Sequence, residues 1–129
     1  MLKKGFTLIE LLAVIVLISI ITLITIPSIK YANKKITEKN YETKMKVIKA
    51  SAEEYGEDNK MLIMYNPTTT YNSYPAVVVT IEDLLRNGYL TKDSDIQEDD
   101  ILDPRDESSM KSKTITIYIK NNAAYAVIN

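Results

Sequence analysis

From Phe6 to Ile26 the chain reads FTLIELLAVIVLISIITLITI, 21 residues with a single charge, Glu10. As a helix rising 1.5 Å per residue this run is about 31 Å long, close to the roughly 30 Å hydrocarbon core of a bilayer. It is long enough to span a membrane. A cleaved secretory signal would need a shorter apolar region, about 7–15 residues, followed by a small-x-small site. Pro27-Ser28-Ile29-Lys30 is no such site, and Glu10 interrupts the run near its start. A carboxylate at the centre of a bilayer costs about 2.5–3.5 kcal/mol on insertion scales, which makes Glu10 a functional candidate. The competing account is that Glu10, close to the helix start, reaches the interface and gains from the helix dipole. Physics alone leaves both open.

The flanking residues add a resemblance. Lys3 to Glu10, KKGFTLIE, resembles the type IV prepilin signal: a short basic leader ending in Gly5, then Phe6, then a glutamate four residues on that opens a long apolar helix. The resemblance implies that a membrane aspartyl prepilin peptidase cuts between Gly5 and Phe6 on the cytoplasmic side and methylates the new Phe6 terminus. It also implies an assembly role for Glu10. The freed α-amino group, with a reference pKa of about 7.7–8.0, would pair with Glu10 of a neighbouring subunit and set the axial register of a filament. Pro27, 21 residues after Phe6, matches a proline common in pilin helices, and Ser19, Thr22 and Thr25 stand where a helix-weakening glycine is usual. Lys3 and Lys4 against Lys30, Lys34, Lys35 and Lys39 would by bare count place the N-terminus outside. The leader motif puts it inside, and that orientation is adopted.

Beyond Pro27 the pattern becomes periodic. Tyr41, Met45, Ile48, Ala52 and Tyr55 step by four, three, four and three residues, one face of an α-helix. Glu42 and Lys46 are spaced as an i,i+4 pair, and Gly56 reads as the helix stop. Asn59 to Pro75 reads as a loop with one short strand at Met61–Tyr65. Thr80 with Glu82 and Asp83 predicts an N-cap and a two-turn helix ending at Gly88. TIEDLLRNGYL, which contains it, is similar to a stretch in many Gram-positive pilin-like proteins. Ile115, Ile117 and Ile119 alternate with Thr114, Thr116 and Tyr118, Asn121-Asn122 supplies a turn, and Ala124, Ala126 and Ile128 alternate with Tyr125 and Val127: a β-hairpin. The expected fold is α+β and pilin-like, with the amphipathic part of the long first helix packed on a small antiparallel sheet. The expected division is residues 1–5 as leader, 6–29 as membrane and filament-core helix, and 30–129 as the globular domain.

Composition narrows the functions. At 129 residues, one domain beside the apolar segment is expected. Without Cys or His there is no disulfide, no thiolate site and no histidine base or ligand. Lys and Arg total 16 against 17 Asp and Glu, so no nucleic-acid partner is expected. Nine tyrosines suggest surfaces where a ring packs and a hydroxyl stays wet. Asp93, Asp95, Gln97, Asp99 and Asp100 supply oxygens of the kind calcium prefers, yet lack the glycine and terminal glutamate of an EF-hand. A solvated acidic loop is adopted, with no metal or cofactor. Seven lysines between Lys30 and Lys49 suit lipid headgroups, DNA, or the acidic loop of a neighbouring subunit, and the last suits a filament best. Glu53-Glu54 and Asp99-Asp100 are sequence neighbours that diverge, and Ser108-Ser109 lack an activating histidine, so no enzyme is expected. The expected partners are the prepilin peptidase, copies of the chain or related pilins, the cytoplasmic membrane and a pilus assembly platform, with a cell-surface filament as the destination. The alternative is a single-span, membrane-anchored binding domain that does not polymerise.

Overall fold

The computed structural model describes residues 5–93 and 100–129, apart from the side chains of residues 24–28. Two compact units divide the chain, Met1–Thr37 and Glu38–Asn129. Helix α1, Leu8–Asp58, contributes to both. Its backbone is helical through Pro27, in keeping with the absence of a glycine upstream.

In the first unit the described apolar side chains are exposed, Leu8, Ile9 and Leu23 among the most so. Ser19 and Thr22 donate to the carbonyls of Ile15 and Ile18, at 2.8 and 2.7 Å, so their hydroxyls are satisfied within the helix. Among the described residues no helix is long and apolar enough to cross a membrane. The described side chains of this segment stop at Leu23, short of the end of the apolar sequence at Ile26.

The second unit contains the core. After α1 come α2 (Lys60–Tyr65), β1 (Thr69–Tyr71), β2 (Tyr74–Thr80), α3 (Ile81–Arg86), β3 (Thr114–Lys120) and β4 (Ala123–Ile128). The four strands form one antiparallel sheet in the order β1-β2-β3-β4. Register sorts its faces, since directly paired residues share a side. Ile117 pairs with Val77 and Ala126, and Ile115 with Val79 and Ile128, making the inner face. Ile48 and Ala52 of α1 join this core fully buried, with Tyr41, Met45 and Tyr55 packed at its margin. The α+β class, the amphipathic face and the closing hairpin therefore stand as expected.

Local signals account for the connections. Asn72-Ser73 and Asn121-Asn122 all have positive φ, the two-residue turn that matches strand twist. Thr80 caps α3 reciprocally with Asp83, and Gly88 at φ 79° follows it in the left-handed region.

Four expectations are corrected. Met61–Tyr65 is helical, not a strand: it lies in α2, whose Met- and Leu-rich sequence favours helix and buries only Ile63. The stretch from Asn59 to Pro75 is no loop, for it also contains β1 and the start of β2. Gly56 does not end α1. It is buried where the helix meets the sheet, and a Cβ there would lie 2.6 Å from Ile117 Cγ2 and 2.7 Å from Ala124 Cβ. Glycine is needed for close approach, not for termination. Glu42 and Lys46 are both exposed and make no ion pair among the described residues; Lys44 takes that role instead.

Candidate functional site

The residues that open α1 are the first candidate. Thr7 is the N-cap: its carbonyl accepts from Leu11 N at 3.1 Å, and its hydroxyl accepts from Glu10 N at 3.3 Å. Glu10 answers through Oε2, which accepts from Thr7 N at 2.8 Å and Thr7 Oγ1 at 3.1 Å. Thr7-Leu8-Ile9-Glu10 is thus a capping box, satisfying orphan donors at the helix start. The T-x-x-E spacing is legible in the sequence, although the charge of Glu10 is the more conspicuous signal there. Glu10 Oε1 has no partner among the described residues. Gly5 and Phe6 lie just ahead of the cap, Phe6 is 85% exposed, and a Cβ on Gly5 would meet nothing within 4 Å. Pro27 lies within α1, outside the described side chains.

The second candidate is the acidic segment. Asp95, Gln97 and Asp99 lie outside the described residues. Asp93 and Asp100 are described, and both are engaged by their own chain. Asp93 Oδ2 accepts from Lys44 Nζ at 2.8 Å and Leu102 N at 2.9 Å, while Lys44 also donates to the Leu102 carbonyl at 2.7 Å. Burial pushes the Asp93 carboxyl up, but the Leu102 amide and Lys44 ammonium together hold it below its ordinary value. Asp100 Oδ1 accepts from Ile101 N and Ser109 Oγ. Among the described residues no cluster of three or more acidic side chains could hold a metal.

A clasp lies further along the same segment. Arg105 donates to both oxygens of the buried Asp103, Nη2 to Oδ2 at 2.7 Å and Nε to Oδ1 at 3.0 Å. Its guanidinium carbon lies 3.5 Å from the centre of the Tyr41 ring on α1. The Arg105 hydrogen bonds hold the Asp103 carboxyl below its ordinary value against the opposing effect of burial. Lys44 and Arg105 therefore tie the acidic segment to the second half of α1. One basic residue of the helix, Lys44, thus meets the acidic segment inside one chain, while Arg105 pairs with Asp103 within the segment and reaches the helix through the Tyr41 ring.

The outer face of the sheet carries the tyrosines. Tyr118 stacks on Tyr71 and Tyr125 at 4.7 and 5.5 Å between ring centres, with Tyr74 at 6.2 Å. The rings spend their faces on each other across the strands.

Comparison with known proteins bears on the N-terminal site. Residues 1–26 match the family model of the prokaryotic N-terminal methylation motif. The ComG operon protein 3 homolog of Bacillus licheniformis is 42% identical over 57 residues, covering 44% of this chain and 59% of that protein. The competence protein ComGC of Bacillus subtilis is 32% identical over 92 residues, covering 71% of this chain and 79% of its relative. The chain belongs to the ComGC family. That family is pilin-like and structural, and the prepilin resemblance of KKGFTLIE is its signature here. The ComGC-type chain thus combines a motif-bearing apolar helix with an α+β globular unit. No solved structure matches it.

Proposed function

We propose that the chain is made as a membrane-anchored prepilin, cut between Gly5 and Phe6, methylated on Phe6, and assembled through its N-terminal helix into an extracytoplasmic competence pseudopilus. It acts as a structural subunit, without catalysis or cofactor. The observation that carries this reading is the motif itself: basic leader, Gly5, Phe6, Glu10 and the apolar run occur together and match the methylation-motif family. The name of the Bacillus subtilis relative, a competence protein, favours a DNA-uptake machine over a secretion system. Residues 1–5 are then the leader, 6–29 the membrane and filament-core helix, and 30–129 the exported domain. The N-terminus lies inside until assembly, and the filament reaches the cell surface. Prepilin peptidase, the assembly platform and further copies of the chain are the partners.

The Glu10 geometry supports its part in assembly. Oε2 is committed to Thr7 of its own chain, while Oε1 is free among the described residues to accept from the Phe6 ammonium of a neighbour. A single carboxylate would thus start its own helix and hold the next subunit. Loss of the pair would leave a charge unpaired in an apolar filament core, which is strongly disfavoured.

Intact mass and N-terminal peptide mapping of protein from sheared filaments test the reading. An N-methylated Phe6 terminus is expected; a terminus at Met1 or near residue 30 would overturn it. Glu10→Gln and Glu10→Ala should both be cleaved normally and fail to assemble. Normal filaments from either variant would remove Glu10 from the mechanism.

A further inference from the structure

The two edges of the sheet differ. β1 is three residues long, too short to template much pairing. β4 is six residues, AAYAVI, and its outer edge meets Glu53 and Glu57 of α1. Asn129 N donates to Thr114 O, so the inward amides of β4 belong to the odd-numbered residues. The amides of Ala124, Ala126 and Ile128 face out. An uncovered row of this kind accepts a strand from another molecule.

Two of the three are covered by carboxylates. Ala124 N donates to Glu57 Oε1 at 2.7 Å, and Ala126 N to Glu53 Oε1 at a longer 3.4 Å. The match is geometric: four residues of helix advance about 6 Å, and two residues of strand advance about 6.8 Å. Carboxylates at i and i+4 on a helix running antiparallel to a strand therefore meet alternate edge amides. Lys60 steadies the stronger contact, donating to Glu57 Oε2 at 2.9 Å and to the Asn122 carbonyl at 2.8 Å. The Ala124 amide first, and Lys60 second, hold the Glu57 carboxyl below its ordinary value, the sign of a carboxylate that stays charged at neutral pH. The next position in the helical register, Lys49, has no acceptor, so the Ile128 amide is left out of the pattern.

We propose that Glu53 and Glu57 guard the β4 edge, keeping it from pairing with a strand of another copy of this chain. The reading stands apart from Glu10 and from leader processing. It makes the sheet edge a closed surface, so that copies brought together by their apolar helices do not cross-pair through their sheets. The guard works through hydrogen-bond acceptance, so an amide oxygen in the same place should serve.

Amide hydrogen exchange and size analysis of the full chain in detergent micelles test this. In the wild type, Ala124 and Ala126 should exchange more slowly than Ile128, Ala124 most. The Glu53→Ala/Glu57→Ala double variant should exchange at both positions about tenfold faster or more. It should also form species with the amide I signature of intermolecular β-structure. Glu53→Gln/Glu57→Gln should behave as the wild type. The proposal is overturned if wild-type Ala124 exchanges no more slowly than Ile128, or if the Gln pair associates. A folded Ala pair, judged by its tyrosine near-UV signal, that stays as dispersed as the wild type would overturn it too. Should the Ala pair fail to fold, the wild-type and Gln-pair results decide.

Discussion

Leu17 and Ile48 sit on the same helix, and both are large aliphatic residues, yet Leu17 is 58% exposed and Ile48 is 1% exposed. Local helix-forming physics treats them alike. Their partners separate them: the second unit supplies a sheet whose inner isoleucines cover Ile48, while the described side chains around Leu17 stay open. Apolar sequence thus serves two ends here. Between Tyr41 and Tyr55 it appears on one face and is buried by the chain itself. Between Phe6 and Leu23 it appears all round and stays exposed among the described residues, and the proposed function assigns its apolar surrounding to lipid and then to neighbouring subunits.

Mutations can sharpen or break that contrast. Ile117→Ala should cost the second unit about 2–5 kcal/mol, because Ile117 is fully buried against α1. Leu17→Ala should leave the same transition unchanged to within about 0.5 kcal/mol. Urea unfolding in micelles, followed by the tyrosine near-UV signal, measures both. Equal losses would mean that the two stretches of α1 do not differ in this way. Gly56→Ala comes next, at about 1–3 kcal/mol destabilising, since the new methyl meets Ile117 and Ala124. A stabilised variant would show that Gly56 is only a weak helix residue after all. Lys44→Met should cost about 1–2 kcal/mol by stranding Asp93 and the Leu102 carbonyl. Smallest is Arg86→Ala, an exposed pairing with Glu82 and Asp83 that should shift stability by about 0.3 kcal/mol.

Acid acts on the same segment. Asp93 and Asp103 both titrate below their ordinary values in the folded chain. Their contribution is therefore complete above the unfolded carboxyl value of about 3.9 and is lost as pH falls from there through the folded values. The second unit should lose stability below about pH 4, and Lys44→Met should flatten that loss. An unchanged acid profile in the variant would separate Lys44 from Asp93.

How much is readable depends on how local each signal is. The apolar run, the leader motif, the α3 capping box and the Asn121-Asn122 hairpin each rest on a few adjacent residues and are legible directly. Strand β2 escapes a sequence reading although Val77-Val78-Val79 is β-branched, because its partners on β3 lie far along the chain, from Ala76↔Tyr118 to Thr80↔Thr114. Its hairpin partner β1 escapes with it, since three polar residues carry no period. The acidic cluster looks like one feature in sequence. In space Asp93 answers Lys44, Asp103 answers Arg105, and the two tie down separate points of the helix.

By itself the sequence determined the fold class, the apolar helix with Glu10 at its head, the buried face from Tyr41 to Tyr55 and the closing hairpin. All depend on periodicity and turn chemistry, which act over a few residues. Only the tertiary structure decided that Gly56 is a contact and not a stop, that Lys44 spends its charge within the chain, and that Glu53 and Glu57 lie along the edge of β4. Each of these depends on which distant backbone arrives within 3 or 4 Å, and no local pattern encodes an arrival.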